Sequence, residues 1–236
     1  CLLLPMVVSG NIIVQDDNLE RLMLIKPPGQ LIYVADCDGE LNLAGGELRR
    51  FQRFRGPLGD HCWESPLEAF GPRFAYYHGC YFHPKVNFKK EGVYLIMLAR
   101  KGLFTRTVYS QYTVQVVPPG LYEFDTPVDS TIGYYWTEAA EGYCEYVTAI
   151  MSSPPDNIVY PVGYEGKIDP AGIVVRAASG WFPRRYAIEK LDYTLESDVD
   201  FNTPGSYIVR VDYTDPKGGE YWFIFTVAVA KSLNAG

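Results

Sequence analysis

Residues 199–230 read VDFNTPGSYIVRVDYTDPKGGEYWFIFTVAVA. Two apolar runs flank a turn cluster. In the first run, Tyr207, Val209 and Val211 alternate with Ile208, Arg210 and Asp212. In the second, Phe225, Val227 and Val229 alternate with Thr226, Ala228 and Ala230. Successive side chains of an extended chain point to opposite faces, so this alternation predicts two half-buried strands. Between them, Asp215-Pro216-Lys217-Gly218-Gly219 supplies the turn: proline fixes φ, and glycine admits positive φ. The stretch reads as a β-hairpin that closes a small sandwich.

The pattern occurs twice. Residues 86–117, VNFKKEGVYLIMLARKGLFTRTVYSQYTVQVV, align with it without a gap at a spacing of 113. Val86 matches Val199, Phe88 matches Phe201, Gly92 matches Gly205 and Tyr94 matches Tyr207. Tyr112, Val114 and Val116 match Phe225, Val227 and Val229. A second block lies upstream at a spacing of 127. It pairs Pro27-Pro28 with Pro154-Pro155 and Leu31-Ile32-Tyr33 with Ile158-Val159-Tyr160. It also pairs Gly39, Leu41, Asn42, Ala44 and Gly45 with Gly166, Ile168, Asp169, Ala171 and Gly172. The two spacings differ by 14, so the first copy carries 14 extra residues between its blocks. Two blocks in the same order define a duplicated all-β unit, each copy close to the ~100 residues of a two-sheet sandwich.

The order of these motifs resembles a known family. Pro154-Pro155, Ile158-Val159-Tyr160, the Gly166 to Gly172 block, Val199-Asp200-Phe201-Asn202-Thr203-Pro204-Gly205 with Tyr207, and the closing Phe225-Thr226-Val227-Ala228-Val229 are together similar to the bacterial immunoglobulin-like domain, group 3. The first copy follows in outline, with Lys90-Glu91-Gly92 in place of Thr203-Pro204-Gly205. The resemblance implies an extracellular or cell-surface setting and an adhesion, spacer or ligand-binding role. It supplies no catalytic residues. The expected organisation is all-β: an apolar N-terminal strand segment at 1–18, an immunoglobulin-like domain at 19–117 with an insertion at 56–83, a connector at 118–146 forming a β-hairpin, and a second immunoglobulin-like domain at 147–236.

Composition narrows the partners. Hydrophobic residues make up 47% of the chain and tyrosines number 19, which suits strands with real cores. The net charge of −7 argues against nucleic acid and anionic lipid as general partners. No run of apolar residues is long enough for a membrane-spanning helix. The start, Cys1 to Gly10, is short and apolar and has no initiator Met. It fits a chain trimmed from a precursor, a lipid-modified Cys1, or the remnant of a signal-peptide core. Residues 1–14 hold two apolar patches with no counterpart before the second copy. They are read as an extra strand on the first domain, or as a strand donated to a neighbouring copy in a surface filament, because an uncovered apolar strand invites pairing.

Chemistry-bearing residues gather in the first copy. Asp36, Asp38, Glu40 and Asn42 alternate as a calcium loop would, or form an acidic turn. Arg49, Arg50, Arg53 and Arg55 make a basic strand that is either solvated or grips an acidic or sulfated partner. Residues 56–83 hold all three histidines and two of the five cysteines. His61, Cys62, His78, Cys80 and His83 could hold a metal, but zinc sites show tighter paired spacing. A Cys62–Cys80 disulfide is the simpler reading, stabilising by about 3 kcal/mol in the chain-entropy model. Cys37 and Cys144 could then pair, leaving Cys1 free, lipidated or intermolecular. Trp63, Tyr76, Tyr77 and Tyr81 in the same stretch, and Trp181 with Phe182 in the second copy, are candidates to stack on sugar rings or anchor a protein; otherwise they pack on their own sandwich. No nucleophile elbow, zinc-protease motif or phosphate loop occurs. The expectation is therefore a non-enzymatic chain without a cofactor.

Overall fold

The computed structural model describes residues 20–35, 39–56, 59–64, 68–69, 80–83, 85–101, 106–122, 150–176 and 185–233. Apart from one 3-10 turn at Ile188–Lys190, its regular elements are all strands. In the first repeat these are β1 (Glu20–Lys26), β2 (Ile32–Val34), β3 (Glu47–Gly56), β4 (Gly59–Glu64), β5 (Glu68–Ala69), β6 (Cys80–His83), β7 (Gly92–Lys101) and β8 (Arg106–Val117). In the second they are β9 (Ile150–Ser153), β10 (Val159–Pro161), β11 (Val174–Arg176), β12 (Arg185–Ala187), β13 (Asp192–Ser197), β14 (Gly205–Thr214) and β15 (Glu220–Ala230).

Each repeat contributes two sheets. The first builds β1-β3-β4, with β5 also on β3, and β2-β8-β7-β6. The second builds β12-β11-β9 and β10-β15-β14-β13. The registers correspond at many positions, although β7 and β8 slip by one residue after Leu98 where β14 and β15 do not. Leu24 faces Leu48 as Met151 faces Val175, each beside a register shift. Ile32 pairs Gln115 in parallel as Val159 pairs Ala228. Phe82 faces Leu98 as Leu195 faces Val211. These pairs hold the spacings of 127 and 113 found in the sequence. The all-β, multi-sheet architecture is consistent with a β-sandwich.

The predicted hairpin forms as read. β14 and β15 pair from Gly205↔Val229 to Thr214↔Glu220. Asp215 organises the turn: its Oδ1 accepts from the Lys217 N–H at 2.8 Å and the Gly219 N–H at 2.9 Å. Gly218 takes φ of 82°, which only glycine adopts without strain.

Side-chain ties recur at the same spacings. The Tyr94 hydroxyl donates to the carbonyls of Asn87 and Lys90 at 3.0 and 2.7 Å, and that of Tyr207 to Asp200 and Thr203 at 3.2 and 2.7 Å. Tyr33 accepts the Asn42 N–H at 2.9 Å, as Tyr160 accepts that of Asp169 at 2.9 Å. Phe88 meets Tyr33 edge-on at 5.1 Å, and Phe201 meets Tyr160 at 5.4 Å. Gly45 and Gly172 turn at φ of 82° and 87°. Such agreement in backbone-binding groups is what a duplicated unit requires.

Two expectations change. The sequence suggests half-buried strands, yet β15 is buried on both faces from Trp222 to Ala230. Alternation separates the two faces of a strand; it does not say whether the second face meets water or another sheet. The 14 extra residues, expected at 56–83, divide between two stretches when counted from the strand pairings. Glu47 to Ala69 spans nine more steps than Val174 to Ala187, whose pairings correspond, and Ala69 to Cys80 spans five more than Ala187 to Tyr193. The larger part lengthens β3 and folds β4 back on it, from Phe51↔Glu64 to Gly56↔Gly59. β6 belongs to the shared unit, with His83 at the position of Glu196.

Candidate functional site

β8 carries Tyr112, Val114 and Val116 into the core, and β15 carries Phe225, Val227 and Val229. The opposite faces present Gln111, Thr113 and Gln115 on β8, and Ile224, Thr226 and Ala228 on β15. These faces meet each other. Thr113 and Thr226, both fully buried, bind reciprocally. Each hydroxyl accepts the other's backbone N–H and donates to the other's carbonyl, in four bonds of 2.5–3.0 Å. The two residues are 113 positions apart, so equivalent positions of the two copies touch across a local pseudo-twofold axis. Those N–H and C=O groups would otherwise be orphaned at the open edges of their sheets, and a buried orphan costs about 1–3 kcal/mol.

Around this pair the symmetry is broken by glutamines. Gln111 donates to the Ile224 carbonyl at 3.1 Å and accepts the Met151 N–H at 3.2 Å. Gln115 accepts the Ile158 N–H at 2.9 Å. Ser206 reaches the Gly29 carbonyl at 3.3 Å. At its far end, Tyr122 bridges Ser232, and the Leu233 N–H donates to Leu121, so the chain leaving β8 is tied to the end of the second repeat.

Beyond the seam the outer face of β13, β14 and β15 opens into a hollow of ≈ 340 Å³. Cross-strand rows place Glu196 beside Arg210, and Thr194 beside Asp212 beside Trp222. Arg210 forks onto Asp212, with Nε at 2.8 Å from Oδ2 and Nη2 at 2.6 Å from Oδ1. Its guanidinium lies 5.0 Å above the Trp222 ring. Charge pairing and the aromatic face hold this arginine in one pose. Asp192, Thr214 and Glu220 complete the rim. Tyr193, Tyr213, Tyr221 and Trp222 line it as well, so the hollow joins aromatic surface to the carboxylates of Asp192 and Glu220 and suits a ligand with both an apolar face and hydroxyl or amine donors. At the spacing of 113, Thr194, Arg210, Asp212 and Trp222 match Tyr81, Met97, Ala99 and Tyr109, none of them charged, and a register shift after Leu98 sets Ala99 opposite Val108, so the row is not repeated in the first copy.

Most residues singled out from sequence fall elsewhere. Trp63 pairs Gln52 on β4, and Tyr81 pairs Ala99 on β6, at the position of Thr194. His61 and Cys62 lie on β4, in one sheet, whereas Cys80 and His83 lie on β6, in another. Residues 1–18, Cys37, Tyr76, Tyr77, His78, residues 123–149 with Cys144, and Trp181 with Phe182 lie outside the described residues. Asn42, one oxygen of the proposed calcium loop, accepts the Ala44 N–H at 3.1 Å, as Asp169 does for Ala171. That is a turn-capping role. The hollow itself was missed by sequence reasoning: Arg210 and Asp212 are visible only as the polar half of an alternation. Burial raises the Tyr33 phenol to about 12, partly offset by the N–H of Asn42. It also pushes up those of Tyr112 and Tyr213. Hydrogen bonds from Thr203 and Asn202 hold the Asp200 carboxyl below its usual range. No helix among the described residues is long and apolar enough to cross a membrane. Compared with known proteins, the chain matches no protein-family model and no curated sequence.

Proposed function

We propose that the chain is a non-catalytic binding module of an extracellular or cell-surface protein, built from two immunoglobulin-like sandwiches in tandem. Three features support the immunoglobulin-like reading. Each repeat has a tyrosine tied back to the backbone just before its penultimate strand. Each has a short strand running parallel to its last strand. In each, every other pairing among the described residues is antiparallel. The observation that carries the functional reading is the Thr113–Thr226 seam. An extensible spacer joins its domains end to end; this seam joins equivalent strands side by side. The result is a stiff body that fixes the geometry of its outer surface, as recognition requires. The hollow over Arg210, Asp212 and Trp222 is the candidate contact site for a glycan or protein partner.

The test is a binding screen of the purified chain on arrays of glycans and extracellular proteins. Saturable binding that Asp212→Asn or Arg210→Ala weakens supports the module and places the site. Failure on every array member leaves only a spacer and contradicts the proposal.

A further inference from the structure

β11 and β12 set two arginines directly opposite each other. Arg176 pairs Arg185 in an antiparallel register. Their strand neighbours Val175 and Tyr186 pack toward the core, so the arginines share the face turned away from it. Among the described residues no carboxylate pairs with either one. Arg185 is exposed. Nε and Nη1 of Arg176 are buried and make no hydrogen bond.

This arrangement opposes folding twice over. Like charges directly across a strand pair repel, and buried donors without an acceptor are expensive. The contrast with Arg210 is direct, since that guanidinium is forked by Asp212. A chain of net charge −7 has carboxylates to spare, yet none of those among the described residues is set here. An oxyanion supplied from outside would offset the cross-strand charge at the exposed Arg185 and extend an acceptor toward Arg176, because its oxygens match the paired donors of guanidinium forks. The overall negative charge disfavours a long polyanion, so the charge should sit on a short and otherwise neutral ligand.

We propose that Arg176 and Arg185 form a binding site for a single sulfate or carboxylate group borne by an acidic oligosaccharide. The site lies on β11 and β12, apart from the hollow over Arg210, and it stands or falls independently of that hollow.

Calorimetric titrations at fixed ionic strength test it, using sodium sulfate, a sulfated disaccharide, a uronic-acid disaccharide and a neutral disaccharide. An acidic disaccharide should bind and the neutral one should not. Arg185→Gln, an exposed change, should weaken binding at least tenfold. Arg185→Glu should abolish it while raising the melting temperature of the ligand-free chain, because it gives Arg176 a cross-strand partner. Equal binding by wild type and Arg185→Gln would overturn the site. Binding of free sulfate with both acidic disaccharides excluded would overturn the assigned ligand. Arg185→Glu without any gain in melting temperature would contradict the premise of an unmet charge.

Discussion

The two repeats agree where side chains hold the backbone and differ where they face outward. Tyr94 and Tyr207 close the same corner with the same pair of carbonyls, and Tyr33 and Tyr160 accept the same N–H. On the faces turned away from each core the match is partial: Thr113 keeps Thr226 at the seam, but Met97 corresponds to Arg210, Ala99 to Asp212, and Gln111 to Ile224. Backbone groups impose the same demand in both copies, because a buried N–H or C=O must be bonded wherever it occurs. An outer face answers only to what lies against it. One copy therefore has glutamines that reach into its partner, and the other has the charged hollow.

The largest effect that would break this comparison is a core truncation. Phe225→Ala should destabilise the chain by about 3–5 kcal/mol, since Phe225 is fully buried. Because the core cluster runs through both repeats, urea unfolding should remain a single transition. Two separated transitions would show the repeats to be independent. Next comes Gln111→Ala, which strips bonds from the Ile224 carbonyl and the Met151 N–H and should cost about 2 kcal/mol. Its counterpart Ile224→Val should cost no more than ~1 kcal/mol. Equal costs would deny that the glutamine bridges the seam.

The corners sharpen the comparison further. Tyr94→Phe and Tyr207→Phe each remove one hydroxyl that meets two carbonyls, and each should cost about 1 kcal/mol, alike in both repeats. The smallest effect near neutrality is that of pH. Buried phenols keep their protons in the folded chain after they would lose them in the unfolded one. Stability is therefore fully present below pH 10.0 and falls as pH rises toward the value of about 12 for Tyr33. Phenolate absorbance should show these tyrosines titrating above pH 10.0, together with loss of folded structure. Titration of all tyrosines at the free value without unfolding would contradict their burial.

Much of this fold is legible in the sequence. The alternation of Tyr207, Val209 and Val211, the turn at Asp215, and the spacings of 113 and 127 lead to the strands and their correspondence. The seam is not legible. Thr226 and Ala228 look like a solvent face because they are small or polar, and the same smallness is what lets β8 approach. Thr113 reveals nothing until its partner is in place. The hollow is hidden for a related reason: Thr194, Arg210, Asp212 and Trp222 come from three strands, and only the register brings them into rows. The aromatic and cysteine candidates of residues 56–83 drew attention by composition, but composition cannot say which strand of which sheet a residue joins. His61 and His83 are only 22 positions apart and stand in different sheets.

The reciprocal threonine seam is tested most directly by comparing the unfolding free energies of Thr113→Val and Thr226→Val. Valine keeps the shape and removes the hydroxyl, leaving an N–H and a carbonyl of the other copy unbonded. Each change should cost about 2–4 kcal/mol, the two should agree within ~0.5 kcal/mol, and Thr→Ser at either position should restore most of the loss. Costs near zero, or a large cost at one threonine and none at the other, would contradict a symmetric junction between the two copies.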